Sequence, residues 1–595
     1  MHVKHRSGTL VIVAFLSLVL LFVQGCATSH EIRHETLTLT IAHINDTHSH
    51  LDPTEVALTA NGTPVKVPLG GFARLKTAID DLRGQQQNVL FLHGGDMVQG
   101  TLYFTHYGGK ADAAFMNLLG VDVMCAGNHE FDRGPELLAE LIDRLNFPMV
   151  SSNVDVSQEP ILAGRLPPFV IKQIANTEVG IIGLTTMEAP FVSNPGPNVT
   201  FADPAASVRK AVEALNAHGV RRIILLSHSG YEEDIVLAKK VPGLSLIVGG
   251  HTHSLLGDAA AFPQLGLIPD GPYPTIVKNP LGKNVLVVQS WEWAKLLGVL
   301  KVTLNPDGEP VAWSGRPQLL AGTPFRRNST PVLPVSDTYA EVVRALKESG
   351  VVAFYDEDPY AKKMLETYSR PLQEMMHTNI AAAAQNLERG NNTGPGPLVA
   401  DAMLWKTRAS GTQVAIQNTG GIRRDIPAGP VSVATVYELL PFNNTLVILD
   451  LKGSELKAAL EEAINFQLAT SGKEPYLYVA GATFRIDAAA PKGSRIRELR
   501  VKLADGSYTG IDNVRTCRIV TNNYIARGGD GIPTLGAATG YRIDTGFTDA
   551  EVFLEYLKSL GTIHSPTEKR ISSAMPEMSR NFSLSMSPAL FRRAA

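Results

Sequence analysis

The sequence predicts two α/β units in series behind an exported leader. Three observations point there: 595 residues exceed one ordinary domain; short β-branched runs alternate with helical patterns in two successive series; and a Pro-, Thr- and Arg-rich stretch from Thr323 to Pro334 interrupts them. In the first series Leu37–Ile44, Val89–Leu92, Val121–Cys125, Val179–Leu184, Arg222–Leu226 and Leu244–Val248 read as strands. Phe72–Arg83, Ala111–Leu119, Pro135–Leu145 and Pro204–His218 read as helices. Such alternation places helices over sheet faces, so residues 36–320 are expected to form the first unit. Residues 321–379 read as a linker with helices, the long polar helical stretch running from Asp337 to about Asn386. A second mixed α/β unit is expected over 380–562. Residues 563–595, rich in Ser, Met and Arg without a period, read as a flexible tail.

Composition narrows the function classes. Hydrophobic residues at 44% and charged residues at 19% exclude a coiled coil and a largely disordered chain. Lys plus Arg total 54 against 57 Asp plus Glu, net charge -3, so no global basic field exists to hold polymeric nucleic acid. Three cysteines support neither a disulfide framework nor a cysteine-built zinc module. At the start, His2, Lys4, His5 and Arg6 precede an uncharged apolar run, Leu10 to Val23, too short to span a bilayer comfortably as a helix; residues 1–26 read as a signal peptide. Gly25-Cys26 after that run resembles the bacterial lipoprotein cleavage box, which implies a lipidated Cys26 and a periplasmic or cell-surface protein anchored to the membrane. Ordinary secretion with an incidental cysteine is the alternative. Cys125 and Cys517 are then expected as free thiols.

Five segments of the first series share one design, an apolar strand followed within a few residues by a metal-type ligand. They bring Asp46 and His48, Asp96, Asn128 with His129 and Asp132, His228, and His251 with His253. In open α/β sheets ligands bind outside the carboxyl ends of the strands, so these side chains are expected to share one crevice. Asp46 and His48, like His251 and His253, are one residue apart, and in extended backbone each pair points to the same side. Carboxylate, amide oxygen and imidazole together suit Mn, Zn, Co or Fe, with Mg possible, and the lack of thiolate points to a catalytic site. Two ions about 3.5–4 Å apart with a bridging carboxylate form the usual clamp for phosphoester hydrolysis, and Asp96 is the best bridge. Glycines 94, 95, 249 and 250 are expected to let backbone pass close to the ions. His43, His50, His93 and His218 receive no role, and Glu130 is read as structural.

Asp46-x-His48, Gly95-Asp96, Gly127-Asn128-His129-Glu130, His228 and Gly250-His251-x-His253, in this order, resemble the calcineurin-like metallophosphoesterases. Gly70-Gly71-Phe72-Ala73-Arg74-Leu75, Gln99-Gly100-Thr101 and Phe131-Asp132 narrow the resemblance to the bacterial and ecto 5'-nucleotidases. It implies a metallophosphoesterase α/β sandwich joined by a helical linker to a nucleotide-binding α/β domain. One ion would take Asp46, His48, Asp96 and His253, the other Asp96, Asn128, His228 and His251, with His129 and Asp132 as the family's catalytic dyad. Metal-activated hydroxide would attack, while a cationic His129 stabilises the charge spreading over the phosphoryl oxygens.

The second series holds Asn418-Thr419-Gly420-Gly421-Ile422-Arg423, then Leu440-Pro441-Phe442 and Asn444, then Tyr524 to Gly531. Paired glycines permit close backbone approach, Arg423 offers a fork for phosphate, two aromatics can sandwich a base, and Asp530 can accept from a ribose diol. Singly, these glycines and aromatics are as readily turn and core residues. Their joint order resembles the carboxy-terminal domain of the 5'-nucleotidases. That resemblance implies Arg389 and Arg423 on the phosphate, Asn418 and Asp530 on the nucleoside, Phe442 and Tyr524 on the base, with Gly421 and Asn444 in the same site. The sequence departs from the family's pattern at Thr419, usually glycine, at Tyr524, often phenylalanine, and at Gln385, an arginine in some members. The expected function is removal of phosphate from extracellular nucleotides, 5'-nucleoside monophosphates first. A 2',3'-cyclic nucleotide 2'-phosphodiesterase with 3'-nucleotidase activity or a UDP-sugar hydrolase are alternatives, and a non-catalytic surface nucleotide-binding protein is the rival of another class.

Overall fold

A computed structural model describes residues 36–573 apart from 328–329, 335, 391, 443, 471–475 and 504; the leader with Cys26 and the last residues lie outside them. The first unit is two sheets face to face with helices outside. In one sheet Leu37–Ile44 pairs parallel with Val89–His93 and antiparallel with Leu296–Leu304, and Val123–Cys125 follows Val89–His93. In the other, Asn284–Val288, Leu246–Val248, Arg222–His228 and Thr177–Thr185 run parallel in that order. Strand alternation builds the layers. Leu37, Leu39 and Ile41 pack between the sheets against Ile224, Leu226, Leu246 and Val248. Ala42 and Ile44, on the opposite face, pack under Phe72 and Phe115 of helices Phe72–Gln85 and Lys110–Leu119. Every strand named for the first unit, and each of its four helices, lies within a few residues of where the sequence places it. Among the described residues no helix is long and apolar enough to cross a membrane.

The stretch read as a linker behaves differently. Helices Asp337–Glu348 and Pro359–Met375 occur there, but Val352–Phe354 pairs parallel with Gln318–Ala321, and Phe325–Arg327 pairs with Thr330–Val332 at the sheet edge. Phe325, Val342 and Leu346 are buried against the first unit, and Ala361, Leu365 and Leu372 join the cluster of Phe72. Pro331 marks an edge strand, where a missing N–H is tolerated. Residues 321–375 therefore pack onto the first unit instead of spanning a gap, and Asn379 already opens a strand of the second unit.

The second unit carries a mixed sheet ordered Tyr478–Ala480, Val414–Gln417, Thr516–Asn522, Thr445–Lys452, Arg542–Thr548. Helices Pro395–Thr407 and Asp549–Leu560 cover one face and Gly453–Thr470 the other. The expected tail starts too early: Ile571–Ser573 pairs with Ala482–Ile486, held by Arg570, whose guanidinium bonds Asp401, Glu568 and the Val479 carbonyl. Cys125 and Cys517 are both free and buried, one in each unit.

Candidate functional site

The loops after the strand ends are zipped together by backbone. Gly94 N–H donates to Ile44 O, Asp46 N–H to Gly95 O, His48 N–H to Asp96 O and Ser49 N–H to Met97 O, at 2.9–3.1 Å. One-residue spacing predicts extended backbone at the two pairs, and the structure corrects this. Asp46 (φ 50), His48 (φ 46), Asp96 (φ 56), His251 (φ 78) and His253 (φ 51) all sit in the left-handed region, which non-glycine residues occupy only when their surroundings enforce it. Glycines make the crowding possible: a Cβ at Gly127 would lie 2.2 Å from Asp96 Oδ1, one at Gly250 2.3 Å from Gly94 O, and one at Gly95 2.5 Å from His228 Nδ1.

The seven side chains converge. Asp96 Oδ2 lies 2.9 Å from His228 Nε2, 3.9 Å from His48 Nε2 and 4.0 Å from His129 Nε2. His48 Nε2 and His253 Nε2 are 3.0 Å apart, with Asp46 Oδ1 3.4 Å from the latter. Asn128 Oδ1 is 3.2 Å from His228 Nε2. His251 joins Asp96 and His228 in a group whose ligand atoms lie within 4.8 Å of one another. Buried imidazole nitrogens and carboxylate oxygens turned toward a common centre are the donor set of divalent cations, so the residues present fit such ions.

A further ring of groups orients these ligands, as metal-binding imidazoles require. His228 Nδ1 is 2.7 Å from Gly94 O, leaving Nε2 for the centre. His251 Nε2 is 2.9 Å from Glu188 Oε2, leaving Nδ1. His253 Nδ1 is 2.8 Å from Glu292 Oε2, whose other oxygen accepts from Lys295 Nζ at 2.6 Å, and that ammonium lies over the Trp291 ring. Burial opposes the charge on Glu292, but Lys295 and His253 hold its carboxyl well below the usual range. Glu130 accepts backbone N–H groups from Asp96, Met97 and Gly127, tying two ligand loops together. Glu188, Glu292 and Asn45, which donates to Asp46 Oδ2 at 2.6 Å, were missed in the sequence. Asn45 and Glu188 carry no local signal. Glu292 has one, a carboxylate set between Trp291 and Trp293 with Lys295 close behind.

His129 Nδ1 lies 2.7 Å from Asp132 Oδ2 and turns Nε2 toward Asp96. Burial opposes its charge, but the Asp132 and Asp96 carboxylates outweigh burial and push its pKa up to about 10. The second unit covers this ring. A Cβ at Gly546 would meet His129 Nε2 at 2.5 Å and His48 Cε1 at 3.0 Å, and the Phe547 ring centre is 5.5 Å from that of His129. Gln99 and Thr105 of the first unit donate to Glu551 of the second at 3.3 and 3.2 Å. A cleft of about 1020 Å³ beside His251 is lined across from it by Arg527, Arg542 and Asp544.

The expected nucleotide residues gather elsewhere on the second unit. Asn418 Nδ2 donates to Asp530 Oδ2 at 2.7 Å, Tyr524 Oη donates to Asp530 Oδ1 at 3.1 Å, and the Arg423 guanidinium lies 5.6 Å from the Phe442 ring centre. Arg389 donates to the Arg423 carbonyl. Gly421 is buried, and a Cβ there would meet Gln417 Nε2 at 2.2 Å. Phe442 and Tyr524 are 52% and 51% exposed. Asn444 instead bonds Asp549 at the start of helix Asp549–Leu560. None of these residues belongs to the strand, Arg542–Thr548, that faces His129.

Residues 39–255 match the calcineurin-like phosphoesterase family and residues 374–537 the 5'-nucleotidase C-terminal domain. A probable 5'-nucleotidase of Treponema pallidum is 34% identical, the match covering 90% of this chain and 94% of that one. The chain belongs to the 5'-nucleotidase family. Among solved structures, the NAD nucleotidase of Haemophilus influenzae superposes with a TM-score of 0.82 at 30% identity, over 91% of this chain and all of that one. A 5'-nucleotidase precursor from Thermus thermophilus is 44% identical over the same shares, with a TM-score of 0.56.

Proposed function

We propose that this chain is an exported hydrolase that removes phosphate from extracellular nucleotides, 5'-nucleoside monophosphates first, at a centre of two divalent cations. The convergence of five strand-end segments on Asp96 carries the reading. Asp46, His48, Asp96 and His253 would hold one ion, and Asp96, Asn128, His228 and His251 the other. Bound there, two cations would supply Lewis-acid charge and acidify water. His129, held by Asp132, presents a cationic Nε2 to the phosphoryl oxygens as charge spreads over them. Arg389 and Arg423 grip phosphate, Asn418 and Asp530 the ribose, and Phe442 and Tyr524 the base.

These groups lie apart from the metal cluster, so turnover includes a movement of the second unit that withdraws Gly546 and Phe547 from His129 and carries the aromatic pair to the centre. The two structural relatives support this reading: the more identical one superposes less well, which similar domains do when their mutual disposition differs. Export rests on the leader, with Cys26 as a lipid anchor, and on the likeness to a 5'-nucleotidase made as a precursor in Thermus thermophilus. A dinucleotide pyrophosphate is the second reading, favoured by the fit of the whole chain to the NAD nucleotidase.

The test is hydrolysis by purified protein of AMP, 3'-AMP, 2',3'-cyclic AMP, UDP-glucose and NAD, read as the nucleotide and nucleoside products formed as well as the phosphate released, after chelation and re-addition of Mn, Co, Zn or Mg. AMP is expected to turn over fastest, and only with metal restored. Turnover of the cyclic ester alone would overturn the assignment, and binding without turnover would identify a non-catalytic nucleotide receptor.

A further inference from the structure

Tyr524 stands where the family often has phenylalanine, and the structure gives its extra hydroxyl a defined partner. After the short helix Asn523–Ala526 the chain turns through Gly528 (φ 95) and Gly529 to Asp530, a non-glycine residue at φ 51. The Asp530 backbone N–H donates to Tyr524 Oη at 3.4 Å, so the hydroxyl's own hydrogen is directed to Asp530 Oδ1 at 3.1 Å. On the other carboxylate oxygen, Asn418 Nδ2 donates to Oδ2 at 2.7 Å. That amide cannot be turned round, because Asn418 Oδ1 accepts from Asn522 Nδ2 at 2.9 Å. A Cβ at Gly529 would lie 2.7 Å from the Tyr524 ring, so one ring face is backed by backbone while half of the residue stays exposed.

A carboxylate offers roughly four lone-pair directions, two on each oxygen. Asn418 uses one on Oδ2 and Tyr524 one on Oδ1, which leaves a single acceptor on each oxygen, side by side and fixed in direction. A vicinal cis-diol presents two O–H donors in that pattern. A 2'-deoxyribose leaves one acceptor without a partner, and a 2',3'-cyclic phosphate offers no donor and sets an anion against an anion.

We propose that Tyr524 is a positioning residue for substrate choice, its hydroxyl holding Asp530 so that the site selects 5'-nucleotides whose ribose carries free 2'- and 3'-hydroxyls. This rests on the nucleotide reading above and narrows its substrate class. Phenylalanine at 524 keeps the stacking face and loses the latch.

The experiment compares wild type, Tyr524→Phe and Asp530→Asn, measuring kcat and KM for AMP, 2'-deoxy-AMP and 3'-deoxy-AMP, inhibition by 2',3'-cyclic AMP, and calorimetric binding of adenosine and 2'-deoxyadenosine. In wild type the deoxy substrates should show KM about tenfold above AMP, the usual worth of a hydrogen bond to a charged group. In Tyr524→Phe the ratio should fall to about two- to threefold, with KM moving more than kcat, and Asp530→Asn should abolish it. A ratio unchanged by Tyr524→Phe overturns the proposal, as does 2',3'-cyclic AMP competing as well as AMP. Equal KM for AMP and 2'-deoxy-AMP in wild type ends diol selection and leaves the nucleotidase reading standing. No turnover of any 5'-nucleotide, with no adenosine bound, brings both down.

Discussion

The candidate metal cluster and the proposed nucleotide face are built to opposite standards of rigidity. Asp46, His48, Asp96, Asn128, His129, His228 and His253 are each at most 3% exposed, their loops tied to one another by backbone hydrogen bonds. Phe442 and Tyr524 stand about half in solvent. A centre that stabilises developing charge gains from dipoles and ligands fixed before the substrate arrives. On the proposed reading, a face that captures substrate and then travels has no such need, and a turning second unit would leave the first undisturbed. Substrate choice can therefore change on the second unit without altering the chemistry of the first.

Four substitutions probe that contrast. The largest effect is expected from Asp96→Ala, which takes a shared oxygen from both proposed ion positions: metal content by elemental analysis should fall by at least one ion per chain and kcat by about 10³-fold or more. Full metal content would show that Asp96 bridges nothing. His129→Ala should lower kcat by about 10²–10⁴-fold with metal retained, and an unchanged rate would remove it from the mechanism. On the soft side, Phe442→Ala should raise KM for AMP by about three- to tenfold while leaving the thermal midpoint in place; a large drop in that midpoint would mark the ring as core. The smallest effect concerns the seam between the units. Burial pushes the Glu551 carboxyl up to about 7, above its unfolded value near 4.3. Its contribution to stability is thus full below the unfolded value and is lost as pH rises through about 7. Glu551→Gln, which keeps the neutral form, should flatten urea midpoints between pH 4 and 8 and gain up to about 2 kcal/mol at the alkaline end. Parallel curves for variant and wild type would mean that Glu551 is already charged in the fold.

Much of the first unit was legible because its pattern repeats: an apolar strand, a glycine or a short loop, then a ligand. Recurrence marks Asp46, Asp96, Asn128, His228 and His251 as belonging together. How the pairs converge was not legible, because left-handed backbone at Asp46 or His253 is imposed by neighbouring loops, and the mild preference of Asp and His for it does not fix where it occurs. Residues 321–379 misled for a related reason: Pro and Thr read as a spacer, whereas Phe325, Leu346 and Leu365 find a core that only the assembled sheet and helices provide. Arg570 shows the same at the carboxyl end, since its pairing with Asp401 joins positions far apart in sequence. The approach of Gly546 to His129 is a contact between units, beyond any local pattern.

The enforced left-handed turns at the ligand residues carry a consequence for ion exchange. If these residues hold the ions as proposed, most of the work of shaping the cage is done when the chain folds, and an arriving cation meets a mould already set. Chelation should strip ions without unfolding the first unit, and cations of similar radius should replace one another with large differences in rate and little difference in shape.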